Sequence, residues 1–77
     1  MEILAQRLLE LRKSRGLKQE DVAKESGIAY RSYRRYESGE REPTASVLCK
    51  LADFYGVSAD YLLGRQTEWP SEEGEPR

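Results

Sequence analysis

The chain has 77 residues, 35% of them charged, and a formal net charge of −1. A chain of this length is expected to be one small domain that buries only about 60% of the surface its unfolded form exposes, with no room for a second ligand-binding domain. No stretch nears the roughly 20 apolar residues of a membrane span, the start MEILAQRLLELRK lacks the features of a signal peptide, and a lone Cys49 without any histidine excludes an intrachain disulfide and a His/Cys zinc site, so a reducing cytoplasm is expected.

In chain order, Ile3 to Arg15 reads as a first helix, because Leu4, Leu8 and Leu11 recur at helical spacing with Leu9 beside them. Arg7, Glu10 and Lys13 lie elsewhere around it, and Gly16 stops it. Leu17 then enters the core. Lys18 to Glu25 is a short second helix with Val22 and Ala23 inward and Glu20 and Asp21 near its positive N-terminal end. Ser26-Gly27-Ile28 forms a turn, and a third helix runs from Ala29 or Tyr30 to Ser38 before Gly39. Four positions across these two helices carry the geometry. Ala23 is small enough for a close helix crossing, Gly27 permits the positive φ of a tight turn, and Tyr33 and Tyr36 hold the third helix on the core. The tyrosine hydroxyls need partners, so either ring is also placed to reach an interface rim.

Glu40 to Pro43 is a surface loop. Thr44 caps a fourth helix, Ala45 to Tyr55, with Val47, Leu48, Leu51, Ala52 and Tyr55 as its inward stripe. Val57 is buried, and Ser58 caps a short last helix carrying Tyr61, Leu62 and Leu63 before Gly64. From Gln66 the sequence QTEWPSEEGEPR is polar, acidic and broken by two prolines, which reads as a disordered tail with Trp69 as its exception. The expected fold is all-α: five helices in one domain over residues 1–65, followed by an acidic tail over 66–77.

The net charge at first argues against a nucleic-acid partner, but its distribution reverses that. Residues 1–65 hold 12 Lys/Arg against 10 Asp/Glu, and residues 66–77 hold Arg77 against Glu68, Glu72, Glu73 and Glu75. The acidity therefore belongs to the tail. Between Ile28 and Arg41 there are four arginines and two glutamates, and local charge on one face governs binding more than the total does.

With the helices placed, the chain resembles the Cro/repressor-type (XRE, lambda-repressor-like) helix-turn-helix family. The residues that carry the resemblance are Leu8-x-x-Leu11-Arg12, Gly16-Leu17-x-Gln19-x-x-Val22-Ala23, Gly27-Ile28, Tyr33-x-x-Tyr36-Glu37-x-Gly39, Pro43, Leu48-x-x-Leu51-Ala52 and Gly56-Val57-Ser58-x-Asp60-Tyr61-Leu62-Leu63-Gly64. They span roughly residues 4 to 65. A lone helix-turn-helix match is weak, whereas this ordered set is strong.

The resemblance implies that the third helix enters the major groove of double-stranded DNA while the second lies across the backbone, and that two copies bind a palindromic operator. It implies DNA contact for Gln19 at the backbone and for Tyr30, Arg31 and Arg35 at the reading positions. Arginine suits guanine because its fork donates to O6 and N7 together. Ser32 and Arg34 are weaker candidates, and Arg34 is equally able to pair with an acid one turn away. Ser38 and Arg41 fit a phosphate-contacting loop; Glu40 and Glu42 depart from it. Lys18 and Ala29 replace the usual Ser/Thr caps of the second and third helices, and Lys18 is a further phosphate ligand. The resemblance also implies an ion pair of Arg12 and Glu37 that fixes the reading helix. Tyr61, Leu62 and Leu63 stand where the family's dimer contact falls, though the two leucines fit the monomer core equally well.

The expected function is a sequence-specific DNA-binding transcriptional regulator, most simply a homodimeric repressor that is cytoplasmic, of bacterial or phage origin and nucleoid-associated. No enzyme is expected, since the sequence has no glycine-rich phosphate loop, paired-cysteine motif or nucleophile–base set. Neither a cofactor, a metal, a membrane nor a small-molecule ligand is implied. The alternative is a helix-turn-helix adaptor or antirepressor-type protein partner, favoured by the acidic loop and tail and opposed by the four arginines.

Overall fold

Five helices run in chain order through residues 2–65, the residues that this computed structural model describes: α1 Glu2–Ser14, α2 Gln19–Ser26, α3 Tyr30–Ser38, α4 Ala45–Tyr55 and α5 Ala59–Leu62. The acidic tail and Trp69 lie outside the described residues. Several boundaries differ from the sequence expectation, among them the start of α1 at Glu2 and the end of α5 at Leu62, before Leu63. α1 ends at Ser14, and Arg15 and Gly16 form the turn that follows. α2 starts at Gln19 because Lys18 is extended (φ −91°, ψ 155°) and takes the cap position without a side-chain hydrogen bond, and α2 continues through Ser26.

Cap chemistry explains where the later helices begin. Thr44 Oγ1 accepts from the backbone N–H of Val47 at 3.3 Å, and Ser58 Oγ accepts from that of Tyr61 at 2.9 Å. Ala29 precedes α3 in the same extended conformation but offers no side-chain acceptor. Position Gly27 shows why the turn needs a glycine. It sits at φ 73°, where a Cβ would be strained, and this bend lets Ile28 N–H reach back to Ala23 C=O at 2.9 Å.

The core is shared by all five helices. Leu4, Leu8 and Leu11 of α1, Val22 and Ala23 of α2, Tyr33 and Tyr36 of α3, and Leu51, Ala52 and Tyr55 of α4 are buried, together with Val57 and Leu62. Val47, Leu48, Leu17 and Ile28 are half-buried against them. Leu62 is completely covered within the monomer, so in this conformation it offers no surface to a second copy; Tyr61 and Leu63 remain half-buried. No helix among the described residues is long and apolar enough to cross a membrane.

Arg7, off the leucine stripe of α1, is half-buried against α5. Its guanidinium donates to the Tyr61 carbonyl at 2.7 Å and lies 4.3 Å from the centre of the Tyr61 ring. Arg15 likewise donates to the Tyr55 carbonyl at 2.7 Å. Both cations sit at helix C-terminal ends, where carbonyls with acceptor capacity to spare and the helix dipole favour positive charge.

Candidate nucleic-acid interface

α3 has two unlike sides, and its sequence YRSYRRYES dictates them. Tyr33, Tyr36 and Glu37 recur at spacings of three and four and point inward, with Tyr33 fully buried. Tyr30, Arg31, Arg34 and Arg35 point outward, and Tyr30 is 47% exposed. The inward side is fixed by polar bonds as well as by packing.

Glu37 is the centre of that fixation. Its carboxylate accepts from Arg12 Nε at 2.8 Å, Arg12 Nη2 at 2.8 Å, Gln19 Nε2 at 2.9 Å and Tyr33 Oη at 2.7 Å. These four bonds fill the four lone-pair sites of the carboxylate. Arg12 spends its remaining terminal nitrogen on the Leu17 carbonyl at 2.9 Å. The Tyr55 hydroxyl lies 2.8 Å from that of Tyr33. An ionised carboxylate has no proton to give, so Tyr33 must donate to Glu37, and Tyr55 must therefore donate to Tyr33. One connected network thus joins α1, α2, α3 and α4.

Burial and charge act in opposition there. Burial alone would raise the Glu37 carboxyl, but the hydrogen bonds from Arg12, Tyr33 and Gln19 outweigh it and hold the group below its ordinary range. The Arg12 guanidinium is pushed up, chiefly by its hydrogen bonds to Glu37. Burial, followed by the bond to Tyr55, pushes the Tyr33 phenol well above its ordinary value, and burial raises Tyr55 too.

The sequence-predicted residues separate into three groups. Arg12 and Glu37 meet in the network, and Gln19 joins them. Its amide nitrogen turns inward to Glu37 rather than outward, which leaves only the half-buried remainder of the side chain for a backbone contact. Lys18, Tyr30, Arg31, Arg34, Arg35 and Arg41 are exposed around one end of α2 and along α3, while Ser32 is half-buried. Arg34 lies 5.7 Å from the Tyr30 ring centre and stacks on it instead of pairing with an acid. Ser38 is occupied locally, donating to the Arg35 carbonyl at 3.1 Å.

The Tyr33–Tyr55 hydroxyl contact is the functional feature that sequence reasoning missed. Tyr33 and Glu37 stand four residues apart on one helix, so their bond was within reach of a helical reading. Tyr55 is 22 residues away from Tyr33, and nothing local announces it.

Residues 8–62 match the model of the helix-turn-helix family. The chain belongs to that family. It is 40% identical over 72 residues to the cryptic phage CTXphi transcriptional repressor RstR of Vibrio cholerae, covering 94% of this chain and 62% of the relative. It is 42% identical over 62 residues to the HTH-type transcriptional regulator AnsR of Bacillus subtilis, covering 80% of this chain and 53% of AnsR. The chain therefore spans about half to three fifths of the length of these relatives. A crystal structure of a transcriptional regulator from Listeria innocua superposes with a TM-score of 0.74 at 31% identity, over 91% of this chain and 65% of that one.

Proposed function

We propose that this chain binds double-stranded DNA sequence-specifically and represses transcription in the cytoplasm of a bacterium or of a bacterium carrying a phage. The observation that carries the proposal is the outer side of α3. Arg31 and Arg35 are exposed there and hold no ion pair among the described residues, on a helix whose inner side is fixed by the Glu37 network. Exposed, unpaired guanidiniums on a rigid helix suit a polyanion, and their forked donors suit guanine edges.

In this reading α3 enters the major groove. Arg31 and Arg35 read bases, and Tyr30 packs on a thymine methyl or bonds a phosphate. Lys18, the outer part of Gln19, Ser32, Arg34, Ser38 and Arg41 line the backbone on either side. Two copies bind a palindromic operator with half-sites about one helical turn apart. The family and the repressor name of one relative support this reading. Tyr61 and Leu63, half-buried in the monomer, are the residues proposed to meet the second copy.

Selection of bound sites from a random DNA pool tests the proposal. A recovered inverted repeat is expected, and binding to it should fall steeply with salt, by about 0.9 in log–log slope per neutralised phosphate. Failure to enrich any sequence, with no salt-dependent DNA binding, would favour a protein-adaptor role.

A further inference from the structure

A negative residue, Glu40, lies just past the end of α3. A cleft of about 240 Å³ opens at its C-terminal half, lined by Arg31, Arg34, Arg35, Ser38 and Glu40. Glu40 is held there by the backbone rather than by its side chain. Gly39 takes φ 85°, Glu40 N–H donates to the Arg35 carbonyl at 3.0 Å, and Gly39 N–H donates to that of Tyr36 at 3.3 Å. This paired closure folds the residue after the glycine back over the last helical turn. The Glu40 N–H lies a further 3.4 Å from Ser38 Oγ. Glu40 thus lines the same cleft as three arginines, and it makes no ion pair with any of them among the described residues. It is free to compete with an incoming phosphate for whichever arginine is loose.

Resting on the DNA-binding reading above, we propose that Glu40 is a specificity-determining residue that acts against DNA of the wrong sequence. On mixed-sequence DNA the arginines have only phosphates to bind, and nearly all affinity is electrostatic. Glu40 then subtracts from it, because a negative residue lining the cleft repels each phosphate that approaches these arginines. On the operator, Arg31 and Arg35 turn their paired donors to base edges, so no phosphate is drawn to them beside Glu40. The repulsion is thus felt mainly in the non-specific complex, and discrimination rises because the competitor is weakened.

The test compares wild type with Glu40→Gln on the selected operator and on mixed-sequence duplex at several salt concentrations. Glu40 is exposed, and a thermal melt checks that the variant is folded as wild type is. The expected result is that Glu40→Gln binds mixed-sequence DNA about five- to tenfold more tightly near 0.1 M salt, with a slope steeper by about one, the effect of one more released counterion. Operator affinity should change less than twofold, so the specificity ratio falls. Glu42→Gln removes the same charge two residues on, outside the cleft, and should leave the ratio as it is. An equal gain on both DNAs, no gain on either, or the same shift in ratio from Glu42→Gln overturns the proposal while leaving DNA binding intact. If neither wild type nor variant binds DNA, the functional reading fails and this inference falls with it.

Discussion

Replacing Glu37 by Gln removes one charge from the network with almost no change of shape. The amide has one acceptor oxygen where the carboxylate had two, so at most half of the four bonds from Arg12, Gln19 and Tyr33 survive. Its new N–H₂ faces donors. The Arg12 side chain, 15% exposed against 4% for Glu37, is left with a largely buried charge and no counter-ion. Breaking one partner of a buried pair costs about 3–5 kcal/mol, and the partial exposure of Arg12 favours the lower end. A chain of this size has roughly 4–12 kcal/mol of stability in all. A loss of about 3 kcal/mol should lower the melting temperature by roughly 12–24 °C. Circular dichroism melts measure this directly, and DNA titrations well below the variant's melting point measure the effect on α3. Operator affinity should fall although Glu37 touches no DNA, because the angle of α3 is no longer fixed to α1 and α4. A melting temperature within about 3 °C of wild type, less than about 1 kcal/mol by the same conversion, would refute the reasoning.

The same network sets the pH response. Because the folded Glu37 carboxyl is held below its ordinary value of 4.5, its stabilisation is complete above that value and is lost as pH falls below it. Acid unfolding should therefore be shallower in Glu37→Gln than in wild type, as read by melts across an acid series. The Tyr33 phenol is raised from its ordinary value of 10.0, so its contribution is complete below that pH and lost above it, and Tyr33→Phe should flatten the alkaline limb of the same series. Arg31→Ala should relax preference at one base step by roughly 1–3 kcal/mol in competition binding, whereas an equal loss on every sequence would make Arg31 a phosphate ligand. Ala29→Ser supplies the acceptor that α3 lacks and should add about 1 kcal/mol of stability, read as a higher melting temperature.

Patterns that repeat along the chain determined most of the fold. The leucine spacing of α1, Thr44 before α4, Ser58 before α5 and the glycines at helix ends are local signals. They depend on backbone geometry and on neighbours within one or two turns, so a reader of the sequence has all the terms. The burial of Tyr33 and Tyr36 and the outward set of Tyr30, Arg31, Arg34 and Arg35 follow from the same 3.6-residue period. Arg12 and Glu37 were legible only through the family resemblance, since 25 residues separate them.

Tertiary structure decided where polar atoms find partners at a distance. It turned the Gln19 amide nitrogen inward, joined Tyr55 to Tyr33, moved Arg7 onto Tyr61 and enclosed Leu62 within the monomer. These are matters of a few tenths of an ångström between helices that approach only after the core forms. A hydrogen bond weakens steeply with misplaced geometry, so no local pattern specifies it. The sequence alone thus determined which side of α3 is free to meet a partner, and the packing of four helices decided how firmly that side is held.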